Sequence, residues 1–314
     1  MWIYARGLMP PLELGLVLLL GLLWGSPYAL TKISLETIPP VTLVAARVSL
    51  AAAVLWLIAF SRGFRAPKER RVVGPLFVQG VITCVVPYTL IAFGQQTVES
   101  GLAAILNSTT PLFVCVIGVL WTRHEPVTSS KVFGAAVGFS GVVAIAGASA
   151  LLGLGDHAIG QAAIILATIS SAFSVIHGRR FIGMAPEVVA AGMLTAAAIT
   201  LVPLSLIFES PWHISPSAPS VVALLINAIV ATALGFAIYF RLIRTVGSLA
   251  TASVGYLKPA VGVLIGCLIL GEPFTAVMAL GLFGILLGVA IINGKLAGLG
   301  STTSPRPDPM GRIP

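Results

Sequence analysis

Apolar residues in this chain come in long, nearly unbroken runs. Ten of them lie at 12–31, 41–60, 72–93, 101–121, 132–152, 158–178, 186–207, 220–240, 248–270 and 274–294. Each is close to the roughly 20 residues that a helix needs to cross about 30 Å of hydrocarbon. A stretch that is apolar all round predicts a helix buried in protein or lipid. The period-two alternation of a membrane barrel is missing. Connections are mostly short, so consecutive helices are expected antiparallel. The first run lacks a small-x-small cleavage site and nine more follow, so it is expected to be a retained helix. Residues 299–314, rich in Pro and Ser, are expected to form a disordered cytoplasmic tail.

Composition agrees with this pattern. Of 314 residues, 57% are hydrophobic and only 9% charged, and the mean hydropathy is +1.04. Those values exclude a water-soluble enzyme, a disordered chain and a nucleic-acid binder. The formal charge of +8 is a topology signal. All but three of the 18 Lys and Arg fall in alternate loops or at the termini: Arg6, Arg62, Arg65, Lys68, Arg70, Arg71, Arg123, Lys131, Arg179, Arg180, Arg241, Arg244, Lys295, Arg306 and Arg312. The positive-inside rule then places both termini in the cytoplasm. Lys32 falls on the other side, and Arg47 and Lys258 fall inside runs. Three cysteines make no disulfide framework, and no His/Cys spacing suggests a metal site or other cofactor.

The chain repeats itself. Around runs 4 and 5, Pro111, Glu125-Pro126-Val127-Thr128, Gly134 and Gly141 correspond to Pro259, Glu272-Pro273-Phe274-Thr275, Gly281 and Gly288 around runs 9 and 10. A unit of five helices is odd, so its two copies insert upside down relative to each other. The expected fold is an all-α membrane protein of ten transmembrane helices in two inverted-topology five-helix repeats, 12–152 and 158–294. Inverted repeats mark many secondary transporters, with the substrate site near the midplane where the copies meet.

Several residues are candidates for that site. Lys258 lies near the middle of run 9, where a charge costs roughly 2.5–3.5 kcal/mol on insertion scales. It reads either as a cation for a substrate carboxylate or as a lysine bonded to helix carbonyls. Polar residues gather beside prolines: Trp24 and Tyr28 flank Pro27, Asn107 and Thr110 precede Pro111, and Tyr256 and Lys258 precede Pro259. With Ser171 in run 6, they would make a polar cavity for a small zwitterion, with Pro27, Pro111 and Pro259 as gating or cavity-lining kinks. Arg47 and Tyr88 are secondary candidates. The alternative for each single Ser or Thr is interhelical hydrogen bonding. The glycines 134, 138, 141, 281, 284 and 288 read as helix-packing residues, and the two Glu-Pro pairs as structural turns at helix starts.

Trp24-Gly25, Lys32, Pro39-Pro40 and Arg47, with the two Pro…Glu-Pro-x-Thr…Gly segments, resemble an EamA domain present twice, as in the drug/metabolite transporter superfamily. In the second copy Ser170-Ser171 stands in place of Trp-Gly, and Met193 in place of Arg47. The resemblance implies a bacterial inner-membrane exporter of amino acids or similar small polar metabolites, working by alternating access. In the small proton-driven multidrug relatives a membrane Glu stands eight residues before a Lys like Lys32; here that residue is Trp24. All ten acids lie at run ends or in loops, so an uncoupled facilitator or exchanger is expected. Anionic metabolites, nucleotide-sugar-like compounds, nucleobases and lipid-linked substrates are the alternatives. The expected partners are a small-molecule substrate and the lipid bilayer, with no nucleic acid; monomer and homodimer both stay open.

Overall fold

The computed structural model describes residues 11–118, 129–151, 155–246 and 254–292. Among these, the regular structure is all helical. Ten long helices follow one another: α1 (Pro11–Ser34), α2 (Pro40–Ser61), α3 (Arg70–Gly94), α4 (Ser100–Ile117), α5 (Ser129–Leu151), α6 (Gly155–Gly178), α7 (Pro186–Phe208), α8 (Ala218–Thr245), α9 (Val254–Leu270) and α10 (Ala276–Ile292). Each falls on one of the ten apolar runs. Seven are long and apolar enough to cross a membrane; the other three, α5, α9 and α10, carry shorter apolar stretches, Val132–Ala144, Leu257–Leu270 and Ala276–Ile291. The expected tail at 299–314 and the first Glu-Pro turn, Glu125-Pro126, lie outside the described residues. Large apolar side chains such as Leu57, Ile207, Phe208, Leu268 and Leu280 face outward, as a surface solvated by lipid requires.

With hydrocarbon on the outside, no hydrophobic force separates inside from outside, so helices associate through close packing of small residues. Between α2 and α7 the contact is built on Ala45, Ala51, Ala52, Ala190, Ala191 and Ala197 around Val48, Leu55, Leu194 and Leu201. Between α5 and α10 it is built on glycine. A Cβ on Gly288 would lie 2.4 Å from the Gly134 carbonyl oxygen, and one on Gly141 would lie 2.7 Å from that of Gly281. The repeat glycines therefore face one another inside the bundle.

The packing is symmetric between the halves. The helices α2, α4 and α5 pack on α7, α9 and α10, their counterparts in the other copy. The contacts of α1 with α8 and α9 are matched by those of α6 with α3 and α4, and α2 on α8 is matched by α7 on α3. The third helix of each half carries a π-helical segment, Val81–Val85 in α3 and Ile226–Leu234 in α8.

Breaks in α1 and α4 share one device. Proline has no N–H, so Pro27 and Pro111 leave the carbonyls of Leu23 and Asn107 without their helical partners. The residue just before each proline supplies the missing donor: Ser26 Oγ donates to the Leu23 carbonyl at 3.2 Å and Thr110 Oγ1 to the Asn107 carbonyl at 2.9 Å. At Pro259 in α9 the corresponding position is Lys258.

Four carboxylates tie the halves together at the helix ends. Glu272 accepts from the Ser100 and Gly101 amides at 2.6 and 2.8 Å and from Ser100 Oγ at 2.8 Å. It thus caps the start of α4 rather than serving its own helix α10, as the sequence had suggested. Glu209 caps α2 in the same way, through the Val41 and Thr42 amides at 3.0 and 2.6 Å. At the opposite ends, the fully buried Glu187 side chain accepts from Arg62 at 2.7 Å and Arg244 at 2.5 Å, while Glu13 accepts from Thr245 Oγ1 at 3.1 Å and pairs with Arg241 at 3.5 Å. Lys32 donates to the carbonyls of Gln95 and Val98 at the end of α3, where the helix dipole is negative. Glu99 is the N-cap residue of α4, yet its side chain makes no cap. Burial lifts its carboxyl above the ordinary range, the nearby Glu272 adds to this, and Lys32 opposes it.

Two stability predictions follow from these ends. Arg62→Ala with Arg244→Ala strands a buried carboxylate, whereas Glu187→Gln removes the charge itself. The double variant is expected to lose about 2 kcal/mol, since its arginines are half-exposed. Thermal unfolding in detergent measures this, and Glu187→Gln is expected to cost less. Glu99 holds its proton more tightly folded than unfolded, so its contribution is fully present at low pH and is lost as pH rises through the carboxylate range. Glu99→Gln is therefore expected to raise Tm at neutral pH and leave it unchanged in acid.

Candidate functional site

Glycine brings α1 and α9 together. A Cβ on Gly21 would meet Leu257 at 2.8 Å, and one on Gly25 would meet Val261 at 2.6 Å and the Lys258 carbonyl oxygen at 2.9 Å. This close approach sets Lys258 beside Trp24, with the ammonium 5.8 Å from the indole centroid, within reach of a cation–π contact. The indole is itself held from the other side. It lies over Gly235 of α8, where a Cβ would come 2.7 Å from Nε1, between Phe236 and Tyr239, whose ring centroids are 5.8 and 5.0 Å away. The Trp24-Gly25 pair thus has a physical account: the ring needs a slot on α8 and the glycine admits α9.

The second cation comes from α2. Arg47 lays its guanidinium over Tyr88 of α3, 4.3 Å from the ring centroid. Its Nε donates to Thr232 Oγ1 at 3.0 Å. Thr232 lies in the π segment of α8, and its hydroxyl donates to the Asn227 carbonyl, five residues back, at 2.7 Å. The wide π turn is what aims that hydroxyl at Arg47. Asn227, fully buried, donates through Nδ2 to Thr31 Oγ1 of α1 at 3.2 Å. Asn107, at the break in α4, donates through Nδ2 to the Tyr28 hydroxyl at 2.5 Å.

These groups surround a cavity of about 180 Å³. Its cations are Arg47 and Lys258; its rings are Trp24, Tyr28, Tyr88 and Phe236; its neutral polar groups are Thr31, Asn107 and Thr232. Pro27, Leu43, Val44, Ile91 and Ala231 complete the wall. No carboxylate or histidine lines it among the described residues. Walls come from α1 to α4 of the first half and α8 and α9 of the second.

Trp24, Tyr28, Asn107 and Lys258 were expected at one site, with Pro27, Arg47 and Tyr88, and the structure brings all seven to this cavity. Thr110 and Ser171 do not line it: the first donates to the Asn107 carbonyl and the second to that of Ala167 at 2.9 Å. Pro111 sits at the start of the second segment of α4 and Pro259 within α9, neither on the wall. The Tyr256 side chain lies outside the described residues. Thr31, Thr232 and Phe236 were not anticipated; for Thr232 the reason is that nothing in the sequence marks the π segment that turns it inward.

An apolar, lipid-exposed helical bundle with a small polar cavity where its halves meet is the architecture of a multi-pass membrane transporter. The chain belongs to the EamA-like transporter family, whose pattern it matches twice, over residues 12–147 and 158–294; these are carriers, not enzymes. It is 26% identical to the uncharacterized inner membrane transporter YedA of Escherichia coli K12, over 89% of this chain and 90% of the relative. It is also 25% identical to a probable amino-acid metabolite efflux pump of Salmonella typhimurium LT2, over 88% and 93%. A solved crystal structure shares the fold with a TM-score of 0.64 at 20% identity, covering 93% of this chain and 100% of the other.

The crossing of α1 and α9 offers a direct check on the site. Gly25→Ala pushes α9 away at Lys258 and is expected to cost about 1–3 kcal/mol and to abolish transport. Gly15→Ala, within the same helix but where a Cβ meets nothing within 4 Å, is expected to leave flux unchanged and to raise Tm slightly, as alanine suits a helix interior better than glycine.

Proposed function

We propose that this protein is a secondary transporter that exports amino acids or similar small polar metabolites across a bacterial inner membrane by alternating access. The observation that carries this reading is the cavity itself. It is small, set within apolar helices, lined by two cations and three neutral polar side chains among rings and aliphatic groups, and walled by both halves of the chain. The two halves are taken as inverted repeats, each of five transmembrane helices, with both termini in the cytoplasm. The symmetric helix pairing and the distribution of Lys and Arg support that topology. The Salmonella relative's name supports an amino-acid metabolite as cargo.

The carboxylate ties supply the gates. With the proposed topology, Glu209 and Glu272 join the halves at the outer face, and Glu13 and Glu187 join them at the cytoplasmic face. Releasing one pair while keeping the other opens the cavity to one side only. No acid or histidine lines the cavity among the described residues, which favours an uncoupled facilitator or exchanger. A tenfold excess of substrate inside already provides about 1.4 kcal/mol for its exit.

The test is reconstitution into liposomes and counterflow of labelled amino acids without an ion gradient, with Lys258→Ala beside the natural protein. Saturable counterflow that collapses in the variant is expected. Concentrative transport that requires a proton gradient would overturn the uncoupled mechanism. Counterflow unaffected by Lys258→Ala would remove the cavity from the transport path.

A further inference from the structure

The cavity holds two cations, and among the described residues no carboxylate neutralises either. Arg47 spends one of its five N–H groups on Thr232 and rests its flat face on Tyr88. Its two terminal nitrogens make no hydrogen bond to protein among the described residues. Lys258 faces the Trp24 ring, and none of its three N–H groups meets a protein acceptor among the described residues. The acids that could have balanced them are committed elsewhere. Glu209 is held by Val41 and Thr42, Glu272 by the start of α4, and Glu13 and Glu187 by arginines at the far ends of the helices.

We infer that the substrate of this cavity is a small organic acid with a net negative charge, carrying two carboxylates: a dicarboxylate or an acidic amino acid. The inference rests on the reading of the cavity as the transport site and narrows what it carries. A guanidinium fork takes one carboxylate through paired N–H donors, and the ammonium takes the other as a point charge. A neutral zwitterion is poorly matched. Its single carboxylate satisfies one cation, while its own ammonium leaves three positive charges against one negative, with no acid among the described lining residues and a low dielectric that magnifies repulsion. A basic amino acid fares worse. The rings of Trp24, Tyr28, Tyr88 and Phe236 supply walls for the carbon skeleton and faces on which the cations rest. The unspent donors wait for acceptors that no described residue provides, so charge balance and hydrogen-bond balance ask for the same ligand.

The full chain in liposomes, preloaded with unlabelled compound, tests this by counterflow of labelled glutamate, succinate, alanine and lysine in parallel. Glutamate or succinate is expected to saturate at a concentration about tenfold or more below that of alanine, with lysine not carried. Lys258→Gln is expected to erase that ordering, and Lys258→Arg, which returns the charge, to restore it; melting in detergent checks that each variant is folded. Alanine carried as well as glutamate, with flux still lost in Lys258→Gln, would overturn the charge inference and leave the cavity as the site. Flux indifferent to both Lys258→Gln and Arg47→Gln would overturn the site and the inference together. Silence toward all four compounds from a folded sample would likewise overturn both.

Discussion

Hydrocarbon offers no partner to a backbone N–H or carbonyl, so a chain crossing it must satisfy every such group within itself. An unbroken helix does so automatically. This protein departs from unbroken helix beside the cavity: at Pro27 in α1, at Ser108–Thr109 before Pro111 in α4, and in the π segments of α3 and α8. Each departure leaves carbonyls over, and neighbouring hydroxyls take them up. Ser26 and Thr110 stand in for a missing amide, and Thr232 claims the carbonyl that the π turn leaves within its reach. The polar character of the cavity is in part a by-product of that repair, since a hydroxyl placed to satisfy a carbonyl keeps a lone pair for something else. Thr232 uses its lone pair to hold Arg47.

Charge is distributed by the same logic. Carboxylates sit where helix starts present several unpaired amides at once, as Glu209 and Glu272 do, or where arginines at the membrane surface can reach them, as with Glu13 and Glu187. All four links run between the halves, and none reaches the middle. Both inner cations rest against aromatic faces, Arg47 with one hydrogen bond to Thr232 besides, and such faces lower the cost of burying a positive charge without cancelling it. The result is a molecule fastened at its ends by acids and electropositive at its centre.

Much of this was legible in the sequence. The ten helices follow from runs of apolar residues with few interruptions. The meeting of Trp24, Tyr28, Arg47, Asn107 and Lys258 follows from the rarity of large polar groups inside such runs. Three kinds of feature were hidden. Hydroxyls beside prolines look like ligands for a substrate, but Thr110 is spent on the backbone. Glu272 begins a helix and reads as that helix's own cap, yet it reaches across to α4, because a carboxylate near several helix starts goes to the one with the most open amides. The π segments leave no mark in residue type: Val81–Val85 and Ile226–Leu234 would pass for ordinary apolar helix. Thr232 therefore stayed unremarked, although it helps complete the wall.

The π segments make the cavity depend on counting as well as on chemistry. A π turn absorbs one residue more than an α turn, so the helices on its two sides keep their phase. Removing one residue from either segment would let it close into ordinary apolar helix, with Tyr88 in α3 and Phe236 and the Gly235 slot in α8 still in place. What would change is the aim of the groups within the segment: in α8 the Asn227 carbonyl would regain an amide partner, and the Thr232 hydroxyl would turn away from Arg47. A chain that tolerates many exchanges of one apolar residue for another in α8 would thus still register a change in their number.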